Sequence, residues 1–393
     1  MRLLFLTHRL PYAPNRGDRI RAYHLARVLS ARHDVHVVSF VHDEEEARHA
    51  DTLRALVKSV TPVRVHKFSR IVAGALALPT RVPLTHVLLH SRAMPEVLAG
   101  IRQQTDPQVV LAYCTSMARY AMEPALDGLP WVLDMVDVDS EKWAALASTG
   151  NRLLRPVYHR EARLLRRFEA HAMTRASATT VVSQKEKATL REVAPDIPVH
   201  VVPNGIDCAT FAPTGPPADL PEAVFCGVFN YEPNAAGAVW LAREVWPLVL
   251  KAVPTAKLSL VGMLPTAAVL SLASQSIRVT GAVPDVRPFL WNAAVGLAPL
   301  LVARGVQNKV LEAVAAGLPC VVTPAVFDGL PAMAHPACRQ APDAGSFAHA
   351  IVDLFAERPA RRRAIAESAD LRGLSWEAQL QPMLDYVERA PSR

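Results

Sequence analysis

The chain is poor in cysteine and has no paired thiols. Its five cysteines, at positions 114, 208, 226, 320 and 338, are scattered, odd in number and never spaced as CxxC. That argues against a disulfide framework or a zinc site and fits a reducing compartment. Long apolar runs are missing too. The longest windows, IVAGALALP (71–79) and AAVGLAPLLVA (293–303), fall well short of the ~20 residues a membrane span needs. The N-terminal run Leu3–Leu6 is too short for a signal peptide, so the expectation is a soluble, cytoplasmic protein. No GxGxxG follows the first apolar run, which disfavours a dehydrogenase. Aromatics interleaved with Lys/Arg clusters are absent as well, which argues against a nucleic-acid partner.

What is present is a chain of 393 residues, 51% hydrophobic and 20% charged, long enough for two ordinary domains. The net charge of +7 is lopsided: residues 1–200 hold 28 Lys+Arg against 20 Asp+Glu, and residues 201–393 hold 15 against 16. A basic first half points to an anionic partner, such as a phosphorylated substrate or an anionic membrane surface with peripheral attachment. The densest cluster, 152–172, places Arg at 152, 155, 160, 163, 166 and 167 on a helix whose apolar component is Leu153, Leu154, Val157, Leu164, Leu165 and Phe168. Its residues fit either a solvated face or a basic helix facing a membrane or another domain.

Short apolar runs alternate with helical segments. Residues 2–7, 34–41, 107–113, 130–136, 178–184 and 199–204 read as strands of one sheet, and 223–229, 257–262, 277–281, 295–300 and 319–324 as strands of another. Continuous apolar strands separated by helices imply parallel sheets covered on both faces. The fold class is therefore α/β, two Rossmann-like doubly wound domains facing a cleft. The expected boundaries are 1–207 for the first domain, 208–221 for a Pro-rich linker, 222–370 for the second domain and 371–393 for a C-terminal helix. The helix carries an apolar stripe of Trp376, Leu380, Met383, Leu384 and Val387 and is expected to dock on the first domain.

Candidate site residues cluster after strand ends. Arg16, Gly17, Asp18 and Arg19 follow the first strand, with Asp18 a candidate N-cap; they fit either a helix N-terminus that holds a phosphate or an acceptor, or a stable βα turn with surface arginines. Asp137-Val138-Asp139 is a DxD tripeptide, but no further set of ligands completes a hard-cation shell, so no metal is expected. Capping by Ser140 or Asp139 and contact of a carboxylate with an acceptor hydroxyl both remain open, and Asp137 is kept as a catalytic candidate. In the second half Gly227 would let a ligand approach the backbone, with Asn230 and Asn234 offering polar contacts. Arg304, Gly305, Val306, Gln307 and Asn308 lead into a helix whose free N–H groups can hold a diphosphate. Lys309 adds a point charge, and Glu312, three residues on, can accept two hydroxyl hydrogen bonds from a ribose. The plainer alternative is an i,i+3 surface ion pair.

VVPNGID (201–207), GVFNYEPN (227–234), VTGAVPDVRPFLWNA (279–293) and GVQNKVLEAVAAGLPCVVTP (305–324) together resemble glycosyltransferase family 4, of the two-domain GT-B fold. With THRLPYAPNRGDRIRAYHLARVLS and DMVDVDSEKW the chain is similar to the bacterial sugar transferases of the exosortase/PEP-CTERM exopolysaccharide system. The resemblance implies a nucleotide-diphosphate sugar held by the second domain and a saccharide or lipid-linked saccharide acceptor held mainly by the first. It also implies transfer with retention, without a metal or other cofactor. Glu312 matches the ribose-binding glutamate of the family, and Gly17 its glycine-rich loop. Arg304 stands where the family places the glutamate that meets the donor sugar, and GVFNYEPN lacks the family's basic pair, so Lys309, Arg304 and Arg19 are the cations left to meet the diphosphate. A sugar-nucleotide 2-epimerase of the same fold and a non-catalytic nucleotide-sugar scaffold fit the same residues.

Overall fold

The computed structural model describes residues 1–12, 17–65, 73–74, 76–303 and 306–392. The chain divides into two compact units, Met1–Asn204 with Gln379–Arg393, and Gly205–Ala378.

Among the described residues the first unit carries a parallel sheet of seven strands: β1 (Arg2–Thr7), β2 (Asp34–Val41), β3 (Ser59–Arg64), β4 (Val109–Tyr113), β5 (Trp131–Val136), β6 (Ala178–Val181) and β7 (Val199–Val201), in the order β3-β2-β1-β4-β5-β6-β7. The order reverses between β1 and β4, the switch point at which doubly wound sheets place their ligands. Burial explains the run-on apolar sequences, since Leu3 to Leu6 and Val109 to Ala112 are all inaccessible and helices cover both faces. Among the described residues the sheet shows one register irregularity, and it falls where chemistry was expected. The β5–β6 register slips between Asp134 and Val136, and Val136 takes φ 65. The bulge turns the chain out of the sheet just before Asp137.

The second unit repeats the plan with β8 (Glu222–Cys226), β9 (Lys257–Val261), β10 (Ile277–Val279), β11 (Val295–Ala298), β12 (Cys320–Val322) and β13 (Cys338–Gln340), all parallel, in the order β10-β9-β8-β11-β12-β13. Strand alternation splits its core in two. Ala223 and Phe225 of β8 pack among Trp246, Leu258, Leu260 and Phe347, while Val224 packs on the other face with Val310, Val314 and Val322.

Residues 208–221, read as a linker, are tied to the second unit. Trp291 Nε1 donates to the Phe211 carbonyl at 2.9 Å and Arg363 donates to that of Gly215 at 3.2 Å. The C-terminal helix Trp376–Arg389 buries Trp376, Leu380, Met383, Leu384 and Val387 as its stripe required. Its far end belongs to the first unit, where Tyr386 lies against His200 of β7 and Glu388 pairs with His33. Both strands that sequence reasoning missed, β3 and β13, are sheet edges.

Candidate functional site

In the second unit the end of β8 and the start of the helix Asn308–Ala315 come together beside the β8–β11 switch point. Lys309 lies in that helix's first turn, where the partial positive charge of free N–H groups adds to its own. Its Nζ donates to Asn234 Oδ1 at 2.5 Å and stands 4.9 Å from the centre of the Phe225 ring. Asn234 is buried, and its Nδ2 donates to the Val228 carbonyl at 2.9 Å, fixing the turn after β8.

Two glycines make this approach possible. A Cβ on Gly227 would meet Asn234 Nδ2 at 3.0 Å and Lys309 Nζ at 3.4 Å. A Cβ on Gly262, which takes φ 148, would lie 1.7 Å from the Gly227 carbonyl oxygen. The turns after β8 and β9 therefore touch backbone to backbone, an arrangement only glycine permits. Gly262 carried no signal in the sequence beyond its place after an apolar run.

Burial sets the electrostatics here. Burial pulls the Lys309 ammonium down to about 8, with Cys226 and Glu312 acting in the opposite sense. Burial also raises Glu312, against the pull of Lys309, and lifts the Cys226 thiol to about 12. Desolvation disfavours each charge, and an anion would offset that cost at Lys309. Gln307 precedes the helix without a side-chain cap bond, and Val306, Asn308 and Asn230 are exposed. Arg304 and Gly305 lie outside the described residues.

In the first unit the helix Gly17–Ser30 begins at Gly17, so Asp18 stands inside the first turn rather than at the cap. Arg16 lies outside the described residues. Arg19 is nearly buried and its guanidinium donates to Glu46 Oε1 at 3.2 Å. Glu46 also accepts the Leu10 and His42 N–H groups at 3.3 and 2.8 Å, so it ties the loop after β1 to the end of β2.

Asp137 and Asp139 share one cation, Lys142, at 3.2 and 3.0 Å. Against the burial that would lower it, Asp139 and Asp137 raise the Lys142 ammonium. The helix Asp139–Thr149 is not capped by its own side chains. Instead Glu169 accepts from the Ser140 N–H at 2.9 Å and from its hydroxyl at 2.5 Å, and Glu186 accepts the Val138 N–H at 2.8 Å. Among the described residues no three His, Cys, Asp or Glu side chains are grouped to hold a metal ion.

A further constellation lies behind these loops. Arg21 and Asp134, both inaccessible, pair through Nε–Oδ2 at 2.8 Å and Nη2–Oδ1 at 3.2 Å. Thr180 donates to Asp134 at 2.9 Å, and Arg21 donates to the Pro203 carbonyl and to Asn204 Oδ1 at 3.2 and 3.0 Å. The sequence held a signal for it. Arg21 falls one turn before Leu25 on the helix's apolar stripe, and Asp134 interrupts the apolar strand WVLDMV; buried charges of opposite sign need each other.

Comparison with known proteins agrees with this architecture. A family profile described as Glycosyltransferase Family 4 matches residues 17–210, and one described as Glycosyl transferases group 1 matches residues 221–357. No curated protein matches in sequence. Among solved structures, sucrose-phosphate synthase from Thermosynechococcus elongatus superposes with a TM-score of 0.64 at 17% identity, covering 99% of each chain. Anabaena Alr3699/HepE, in complex with UDP and glucose, gives 0.63 at 13% identity over 99% of each chain. A UDP-forming trehalose-phosphate synthase from Burkholderia xenovorans gives 0.58 at 13% identity, again over 99% of each chain. At such identities the structural likeness is one of fold, while the two profiles speak to the chemistry. Two parallel sheets in succession, each half matched by a sugar-transferase profile, make the chain a glycosyltransferase of the two-domain GT-B fold.

Proposed function

We propose that this glycosyltransferase moves a sugar from a nucleotide-diphosphate donor to a saccharide or lipid-linked saccharide acceptor, with retention of configuration and without a metal ion. The observation that carries the donor reading is Lys309: a cation held by Asn234 at a helix start, over a glycine backbone, where burial disfavours its charge. A diphosphate would offset that cost with its own charge. The complexes of the Anabaena protein with UDP and with UDP-glucose support the same donor class.

In glycosyl transfer the bond from the anomeric carbon to the diphosphate breaks as negative charge gathers on the leaving oxygen. Without a metal that charge must be met by fixed dipoles and cations. The N–H groups from Gly305 to Asn308 and the Lys309 ammonium take this role, and Glu312 accepts the ribose hydroxyls. Arg304 is assigned to the donor by its place in the sequence alone. Arg19, already held by Glu46, contributes charge at the phosphate or acceptor loop of Arg16, Gly17 and Asp18. Asp137 orients an acceptor hydroxyl. Its sharing of Lys142 with Asp139 supports the metal-free reading, since an ammonium occupies the place between the two carboxylates. We assign the reaction to bacterial exopolysaccharide assembly on the inner face of the cell membrane, with peripheral attachment to anionic lipid.

The test is a thermal-shift screen of nucleoside diphosphates and their sugars, because a ligand of the native state raises the melting temperature. UDP and at least one UDP-sugar are expected to stabilise the protein. No shift with any nucleotide would sink the donor reading, and product formed without acceptor would mark an epimerase instead.

A further inference from the structure

The long basic helix, Arg155–Arg175, turns an unexpected face inward. Its buried residues are Glu161, Leu165, Glu169, Ala172 and Met173, whereas Leu153 and Leu154, just before it, are 87% and 45% exposed. Leu146, in the last turn of the preceding helix, is 44% exposed. The turn between the two helices is closed by Gly150, whose N–H donates to the Leu146 carbonyl at 2.8 Å.

A second run of chain lies alongside. The Arg160 guanidinium donates to the carbonyls of Ala77 and Val82 at 3.0 and 3.1 Å and also to that of Thr80. Glu161 accepts the Leu84 and Thr85 N–H groups at 2.7 and 2.8 Å. The segment so held exposes Leu76 by 72% and Val82 by 46%. Single exposed leucines are ordinary. Here they are gathered on two segments that one arginine fastens together.

Charge singles out the same place. No Asp or Glu occurs in residues 73–95 or 142–160, while Arg81, Arg92, Arg152, Arg155 and Arg160 do. Exposed Arg163, Arg167 and Arg175 continue the positive charge along the long helix. Glu161 is buried beneath Arg160, and Glu141 pairs with Arg166 at 3.9 Å; apolar side chains among the remaining arginines suit a layer of phosphates over hydrocarbon.

We propose that this leucine-tipped basic surface docks on an anionic phospholipid bilayer, with Leu76, Leu153 and Leu154 entering the acyl boundary and the arginines meeting headgroup phosphates. This deepens the peripheral attachment proposed above and rests on it. A second copy of the chain is a poorer occupant, because it would bring the same positive charge to the contact.

The experiment is co-sedimentation of the full chain with phosphatidylglycerol–phosphatidylcholine vesicles and with phosphatidylcholine alone. The wild type is expected to sediment with the anionic vesicles only, and less so at high salt. The triple variant Arg152→Glu/Leu153→Glu/Leu154→Glu should bind about tenfold more weakly or worse. Leu76→Glu, on the neighbouring segment, should weaken binding independently. An unchanged UDP-induced thermal shift in these variants would show that fold and donor site persist, and keeps the donor reading separate from this one. Equal binding to neutral vesicles, no vesicle binding by the wild type, or wild-type binding by the variants would overturn the proposal. So would a concentration-dependent dimer that the triple variant abolishes, which would give the leucines to self-association.

Discussion

Lys309 Nζ lies 2.5 Å from the side-chain oxygen of Asn234, a residue 75 positions earlier in the chain. The same amide donates from its nitrogen to the Val228 carbonyl. One buried side chain thus fixes both the cation and the turn over which it stands, and the positive charge is set in place before any ligand binds.

That preorganisation sets the first prediction. Lys309→Ala should lower turnover by about 10²–10³, the usual cost of losing one fixed group aimed at developing charge. Circular dichroism should show the fold retained. Near-normal rates in the folded variant would remove Lys309 from the mechanism.

A second prediction concerns pH. Burial holds the Lys309 ammonium at about 8, so below that value the free protein carries the charge and above it does not. Affinity for UDP should therefore fall as pH rises through about 8, because binding must then take up a proton. Lys309→Arg keeps its charge throughout, and calorimetry should find its UDP affinity flat over the same range.

Glu312→Gln tests the ribose role. Exchanging a charged acceptor for a neutral amide at two hydroxyl contacts should cost on the order of 2 kcal/mol, or about thirtyfold in the dissociation constant for UDP. Unchanged affinity in calorimetry would contradict the assignment.

Glu169 predicts a stability slope. Burial, opposed by the bonds from Ser140, moves its carboxyl from 4.5 up to about 7. Between these values the unfolded chain has released the proton that the folded chain still holds. Its contribution to stability is therefore complete below 4.5 and falls as pH rises to about 7, by on the order of 3 kcal/mol. Urea titrations of Glu169→Gln should lose this part of the slope; an identical slope would place the titration elsewhere.

The sheet interiors were legible because parallel strands covered on both faces must read as unbroken apolar runs. Two of the four edge strands, β3 and β13, were not. Ser59–Arg64 contains Pro62 and buries only Val60 and Val63, and Cys338–Gln340 is short and partly exposed, so neither carries that signature. At the proposed donor site Lys309, Asn234 and Gly227 could be singled out because they follow strand ends. Their mutual contact, and Gly262 beneath them, depend on how two turns from different strands meet, which no local pattern encodes. The basic helix was misleading in detail, because its sequence offers Leu153 and Leu154 as core. Buried Glu161 and Glu169 go inward instead, each accepting backbone N–H groups at the start of another helix.

Arg21 and Asp134 give the last prediction. Both are inaccessible, so neither partner can be rehydrated if the other is removed. Arg21→Met should strand the Asp134 carboxylate with only Thr180 as side-chain donor, and Asp134→Leu should strand the guanidinium. Each should cost about 3–5 kcal/mol in urea unfolding. The double variant leaves no orphaned charge, although it still forfeits the Arg21 bonds to Pro203 and Asn204. Those are worth about 1 kcal/mol each, so the pair should be clearly less destabilised than the sum of the singles. Strict additivity would mean that the two charges do not stabilise each other, and that Arg21 acts by holding the end of the first unit at Asn204 instead.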